Sequence, residues 1–288
     1  MRRKLRAAAV AVSAGKLESV PAEWASNHRP RLRREIERHA ALDLVALDDT
    51  ALFLHLEDLK AFYARCLQLH FTLFIPHTVG LYELAVTCEE LLGWDLQKTI
   101  GLLQGLSNAS TASTDELAAL VRRAGQRIAT RELLEARTPD ILKRLDDIDP
   151  PVAKELRQYL QFWGLRPIGP EAGCPTVADQ PHLVADLMAD LLNDDGQRDL
   201  STARVALVEE ARTQLTGSAR QRFDAALAYA ERVYPLREDN VLLTDQLPTG
   251  LLRRVALDAG RRLVTLGLLG RAGEAVMLTA DELHEALR

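Results

Sequence analysis

Leu52, Leu56, Leu59, Tyr63, Cys66, His70 and Leu73 recur at alternating steps of four and three. That spacing keeps one stripe of a helix facing a partner. Asp48 and Asp49 precede the stripe, where a side-chain cap and a negative charge favour a helix start. Pro76 is expected to kink or interrupt this helix, because proline removes one backbone bond and crowds the preceding turn. The stripe resumes at Leu81, Leu84, Cys88 and Leu91, and Gly93 ends it.

The same period marks a charged helix over Pro21–Leu42, with Trp24, Leu32 and Ile36 on its apolar side. Asp95–Gly105 reads as a short helix and Leu106–Ala112 as a polar loop. Ser113-Thr114-Asp115-Glu116 has the form of a capping box, and Thr138-Pro139 that of a second helix start. Val152, Leu156, Tyr159, Leu160 and Trp163 share one face of a helix after Pro150-Pro151, closed by Gly164. Residues 165–181 hold Pro167, Pro170, Pro175 and Pro181 and no apolar period, so an ordered loop is expected there. Helical periodicity returns at Leu183–Leu192, Val205–Leu215, Phe223–Tyr234 and Leu251–Leu266, and a capping box at Thr279–Glu282 opens the last turns. Val276-Met277-Leu278 is the one candidate for a short strand. The expected fold is all-α, a multi-helix bundle with one Pro/Gly-rich ordered loop at about 165–181. It reads as a single helical domain over 1–288, with a basic N-terminal helix or extension over 1–20 and helical halves at 21–150 and 151–288.

Composition agrees with helix. Aromatic residues are only 5%, and 47% hydrophobic with 27% charged residues is ordinary for a globular chain. The net charge of −5 argues against a broad phosphate-binding surface, so nucleic acid is not an expected partner. Cys66, Cys88 and Cys174 lack the paired spacing of a zinc site or a disulfide framework, which fits a reducing cytoplasm. No apolar run reads as long enough to span a membrane.

The candidate chemistry is sparse. His70 and His77 share a stripe with Cys66 one turn before His70, but Pro76 disturbs a metal geometry. Hydrogen-bonded core histidines are the plainer reading, and no metal site is expected. The acidic run Asp146-Asp147-Ile148-Asp149 reads as a solvated helix end rather than a magnesium site, and Asp48-Asp49 as a cap. Arg237-Glu238-Asp239-Asn240 is either a surface turn or a buried polar network offering Arg237 to an anion. Arg166 and Glu171 in the proline-rich loop are an acid–base pair by type, for proton transfer or for a structural ion pair. Neither a phosphate cradle nor a nucleophile elbow is present.

Three stretches carry a family resemblance: Gly101–Asn108; Leu156–Arg166 with Glu171; and Leu236–Asn240 followed by Leu251–Leu269 and Val276–Leu283. They resemble the central helical region of the rifampicin phosphotransferase and phosphoenolpyruvate-synthase-like family. That region lies between an ATP-grasp domain and a phosphohistidine domain, and it implies a pocket for a bulky, mostly apolar acceptor. On this basis Arg166, Glu171, Arg237 and Glu238 are candidate catalytic residues. His70, His77, Asn108, Trp163 and Asn240 are candidates for binding substrate. The family's loop aspartate is replaced here by the stretch Ala172-Gly173-Cys174. None of the seven histidines stands in a Gly-Gly-x-x-x-His setting. Phosphate transfer would then need Mg and ATP supplied through separate ATP-grasp and phosphohistidine subunits. The alternatives from another class are a stand-alone lyase, cyclase or isomerase reusing the pocket, acting on an apolar or diphosphate substrate, and a protein that only sequesters its ligand.

Overall fold

The computed structural model describes residues 17–106, 111–169, 173–193 and 200–287. Its elements are helical throughout, as expected, and one isolated antiparallel bridge joins Pro167 to Thr176. The chain forms two compact units, each assembled from three stretches rather than from the halves 21–150 and 151–288. One comprises Met1–Leu32, Leu69–Ser110 and Gln197–Val241; the other comprises Arg33–Gln68, Thr111–Gly196 and Leu242–Arg288. Of the five crossings between them, those at 32/33, 68/69 and 241/242 fall inside continuous helical segments.

The first helical segment is α1 (Val20–Glu23), a π-helical stretch at Trp24–His28 and α2 (Arg29–Ala40). Pro30 stands two residues beyond that π stretch, and Pro248 stands two residues beyond a second one at Leu242–Gln246. A proline deprives the preceding turn of a donor and crowds its carbonyl, and a widened turn relieves both.

Helix α3 (Asp49–Leu92) runs without interruption through Pro76, contrary to the alternative that proline breaks it. Asp48 caps it by accepting from the Ala51 amide at 2.7 Å. Gly93, at φ 66°, ends it as anticipated, with the Trp94 amide reaching back to the Cys88 carbonyl. Because the helix is unbroken, it is long and apolar enough to cross a membrane by length and composition. That corrects the expectation that no run reaches such a length. Many of its apolar positions are core positions, among them Leu52, Leu59, Leu73, Leu84 and Cys88. The buried aromatic in its first half is Phe62 rather than Tyr63.

The unit containing the second half of α3 adds α4 (Leu96–Gly101) and, from later in the chain, three more helices. Its core joins Leu84, Cys88, Trp94, Leu102, Phe223 and Leu227. Asp95 caps α4 through the Lys98 amide at 2.8 Å.

The other unit contains α5 (Ala112–Ala124), α6 (Ile128–Glu135), α7 (Ile141–Ile148), α8 (Pro150–Phe162) and α9 (Pro181–Leu192). Helix α9 packs on α5 and α6, and α8 packs on α5 and α7. The earlier-mentioned unit is completed by α10 (Leu200–Gln214), α11 (Gly217–Val233) and α12 (Pro235–Val241). Helices α13 (Leu247–Thr265) and α14 (Ala280–Ala286) belong with α5–α9.

Three local expectations are corrected. Helix α5 begins at Ala112, and Ser113 lies 4% exposed, turned inward, so the expected box with Glu116 does not form. Helix α7 starts at Ile141 rather than at Pro139. Ala272–Met277 is a 3-10 helix, not a strand. The box at Thr279 and Glu282 forms as expected.

Helix α13 is approached to backbone contact on two sides. A Cβ on Gly250 would lie 1.9 Å from the Leu165 carbonyl oxygen, and one on Gly260 would lie 2.1 Å from that of Ala272. Neither neighbour is the free end of a side chain, so backbone must move. Gly250→Ala and Gly260→Ala are each expected to lose about 1–3 kcal/mol or more in urea denaturation. Gly273→Ala, with nothing within 4 Å of the added carbon, should change stability by less than about 0.5 kcal/mol.

Candidate functional site

The residues singled out above fall into both units, and each group is built locally. In the first unit, α12 follows directly on α11 and turns Asp239 and Asn240 inward, 7% and 1% exposed. The Trp24 indole donates to Asp239 at 2.8 Å, and the Arg29 guanidinium lies 3.2 Å from the same oxygen. Burial raises the Asp239 carboxyl above its usual range, with Trp24 and Arg29 opposing. Asn240 donates to the His70 carbonyl at 3.0 Å. Of the two readings of Arg237–Asn240, the last two residues form a buried network. Arg237 is exposed and reaches the Tyr234 hydroxyl at 3.3 Å. Glu238 is half-buried.

His77 is 8% exposed and meets Phe74 edge-on at 5.3 Å. Burial first, then Arg237 and His70, lowers its pKa to about 4, so the ring is neutral. Cys66 falls in the other unit, and burial holds it as a thiol with a pKa of about 12.

In the second unit, the inward face of α5 meets the end of α8. Arg166 donates to Ser113 Oγ at 3.0 Å, and the Ser113 hydroxyl is hydrogen-bonded to Tyr159. The Trp163 indole donates to Glu116 at 2.7 Å. Burial and the nearby Glu116 raise Tyr159 to about 12 against the pull of Arg166. A small cavity of about 180 Å³ opens between Glu116, Gln158, Phe162 and Trp163 on one side and Arg33 and Glu37 on the other. Ser113 and Glu116 are thus the members that the sequence reading missed, because their spacing imitates a helix cap. Asn108 and Glu171 lie outside the described residues.

Asp149 is also different from its expected solvated setting. Its side chain is fully buried, paired with Arg127 and accepting from Thr130 at 3.1 Å.

The same unit has a larger apolar groove of about 280 Å³. Leu56 from α3, Leu252 and Ala256 from α13, and Val276, Leu278 and Leu283 from the tail line it, with Lys60 and Arg253 among its polar groups. Arg253 is held by Asp179 at 2.8 Å and by the Gly173 carbonyl at 2.9 Å.

Among the described residues, one group has the donors for a metal ion: His39, His55 and Asp58, whose ligating atoms lie within 4.8 Å of one another. Burial, Arg38 and His55 lower the His39 pKa to about 4, and burial lowers that of His55.

The fold and these sites define an all-helical protein whose polar groups are mostly engaged within the structure. The family model described as the rifampicin phosphotransferase fourth domain matches residues 74–238, more than half of the chain, and the chain belongs to that family. A comparison of the chain with curated proteins gives no match.

Neutral His77 has a consequence for acid stability. Between about pH 6.5 and pH 4 the unfolded chain binds a proton that folded His77 does not, so stability falls as pH drops through that window. Asp239, with its raised pKa, acts in the opposite sense as pH falls through its folded value. His77→Leu should remove about 1–3 kcal/mol of the loss between pH 7 and pH 4 in urea melts. The share due to His39, which is shifted the same way, should remain.

Proposed function

We propose that the chain is the acceptor-binding helical module of a phosphotransfer system and that its ligand is a bulky, mostly apolar molecule of the rifamycin kind. Nucleotide binding and the phosphohistidine come, in this reading, from outside these 288 residues, with Mg and ATP. The observation that carries the reading is the family match over 74–238. It is supported by a sequence without a phosphate cradle or a Gly-Gly-x-x-x-His motif.

The apolar groove suits the body of such a ligand. Its volume of about 280 Å³ lies at the lower edge of small-molecule pockets, so it would receive one edge of a large molecule rather than enclose it. Its walls include the tail Val276–Leu283, one of the stretches that carry the sequence resemblance. Lys60 and Arg253 would meet an oxygen-bearing or anionic substituent.

Rifampicin is the probe. It should raise the melting temperature of the wild-type chain, and Ala256→Trp, which fills the groove, should abolish the rise. ATP-dependent phosphorylation of the probe should require added ATP-grasp and phosphohistidine proteins. A wild-type chain that neither responds to rifampicin nor associates with those proteins would remove the reading. Turnover by the purified chain without ATP would replace it with a stand-alone enzyme.

A further inference from the structure

None of His39, His55 and Asp58 is among the candidate catalytic or substrate-binding residues named above. We propose that these three side chains form a binding site for a divalent transition-metal ion of the zinc class, and that Arg38 fills the position when no ion is bound.

Local structure brings the donors together. His55 and Asp58 stand three residues apart on α3, so they share one face of the helix on successive turns. His39 comes from the last turn of α2, which ends at Ala40. A helix C-terminus carries partial negative charge and favours a cation beside it. The His39 ring is 1% exposed and is flanked by His55 and Phe62, each with its ring centre 5.2 Å away. Its position is therefore fixed before any ligand arrives.

The present contacts leave this site incompletely satisfied. One nitrogen of Arg38 lies 2.9 Å from His39 Nε2 and 3.0 Å from Asp58 Oδ2. A guanidinium only donates, so Nε2 carries the lone pair and the proton sits on Nδ1. That Nδ1 is buried with no hydrogen-bond partner among the described residues. An orphaned buried N–H is a net cost to the present arrangement, and the Arg38–Asp58 pair beside it is half-exposed. That N–H faces away from the ion position, and what an ion would take over from Arg38 is the Nε2 lone pair and the Asp58 carboxylate. Arg38 marks a point where a positive charge already touches two of the three donors.

Two imidazoles and one carboxylate select the class of ion. Calcium and magnesium prefer all-oxygen sets, whereas zinc takes nitrogen and oxygen together and leaves a fourth position for water. Bonds of 2.0–2.1 Å in a tetrahedron set ligand atoms about 3.3 Å apart, so the present spread, within 4.8 Å, must close by rotamer changes. Arg38, with its side chain 57% exposed, can swing into solvent as the ion enters. Arg254 stays, because it is committed to the carbonyls of Ala40 and Leu42 at 2.6 Å each.

The test titrates the full chain with cobalt(II), read by visible absorption, and then displaces the cobalt with zinc. One equivalent is expected to bind and to exchange. His55→Gln and Asp58→Asn should each weaken binding by about 10-fold or more. Arg38→Ala should bind the metal as tightly as the wild type or more tightly, because the competing cation is gone. A structural Arg38–Asp58 pair predicts no such gain. Absence of saturable binding would overturn the site, as would binding that persists in both ligand variants, which would place the ion on other histidines. Imidazole NMR of the wild type removes dependence on variant folding: zinc must perturb His39 and His55, and a spectrum in which those two rings do not respond counts against the proposal.

Discussion

Helix α13 is the element on which the packing of its unit depends, and what constrains it is the absence of a Cβ at two of its positions. Gly250 lets the turn at Trp163–Leu165 rest on it, and Gly260 lets the Ala272–Met277 turn do the same. Between and beyond these glycines the helix carries arginines that complete another element. Arg254 donates to the carbonyls of Ala40 and Leu42, and Arg262 donates to that of Leu44 while pairing with Asp49 and Asp258. The carbonyls at the end of α2 have no acceptor role left within their own helix. Charged donors from α13 supply the missing bonds, and such bonds are stronger than neutral ones. One helix thus sets the position of two turns by contact and of the 39–49 connection by hydrogen bonding.

Helix placement was legible in the sequence because it rests on period and punctuation. The stripe from Leu52 to Leu91, the stop at Gly93 and the box at Thr279–Glu282 all reappear in the structure. What was hidden depends on partners far along the chain. Ser113 and Glu116 have the spacing of a cap, but they face Arg166 and Trp163, about fifty residues later, and tertiary bonding overrides the local option. Asp149 sits in an acidic run that looks solvated, yet Arg127 and Thr130 make its burial affordable in hydrogen-bond terms. The π stretches before Pro30 and Pro248 carry no signal beyond the prolines themselves.

The candidate site was legible only in part, for a related reason. Arg237–Asn240 has four polar residues in a row, and only the fold separates exposed Arg237 from buried Asn240. His55 and Asp58 have a spacing that could have drawn notice as a pair on one helical face. His39 joins them through the path of the chain from α2 into α3, which no periodicity reports. The histidines that drew attention, His70 and His77, instead belong with Asn240 and Arg237.

A side chain that holds the fold is poorly placed to hold a ligand as well. Trp163 is bonded to Glu116, Arg166 to Ser113, Asp239 to Trp24 and Arg29, and Asn240 to a helical carbonyl. Recruiting any of them to a substrate would first break a bond within the fold and, where the partner is buried, as Ser113 and Trp24 are, leave it unsatisfied at about 1–3 kcal/mol. The walls of the apolar groove make no such commitments, since their contacts are dispersion forces that a ligand can replace without leaving a polar group bare. Lys60 and Arg253 are the exceptions among its lining residues: Lys60 pairs with Glu57 at 2.8 Å, and Asp179 and the Gly173 carbonyl fix the Arg253 guanidinium, so it is a rigid charge rather than a mobile one. A fixed cation loses little freedom on meeting an oxygen-bearing substituent, which is the condition under which one polar contact can orient an otherwise apolar molecule.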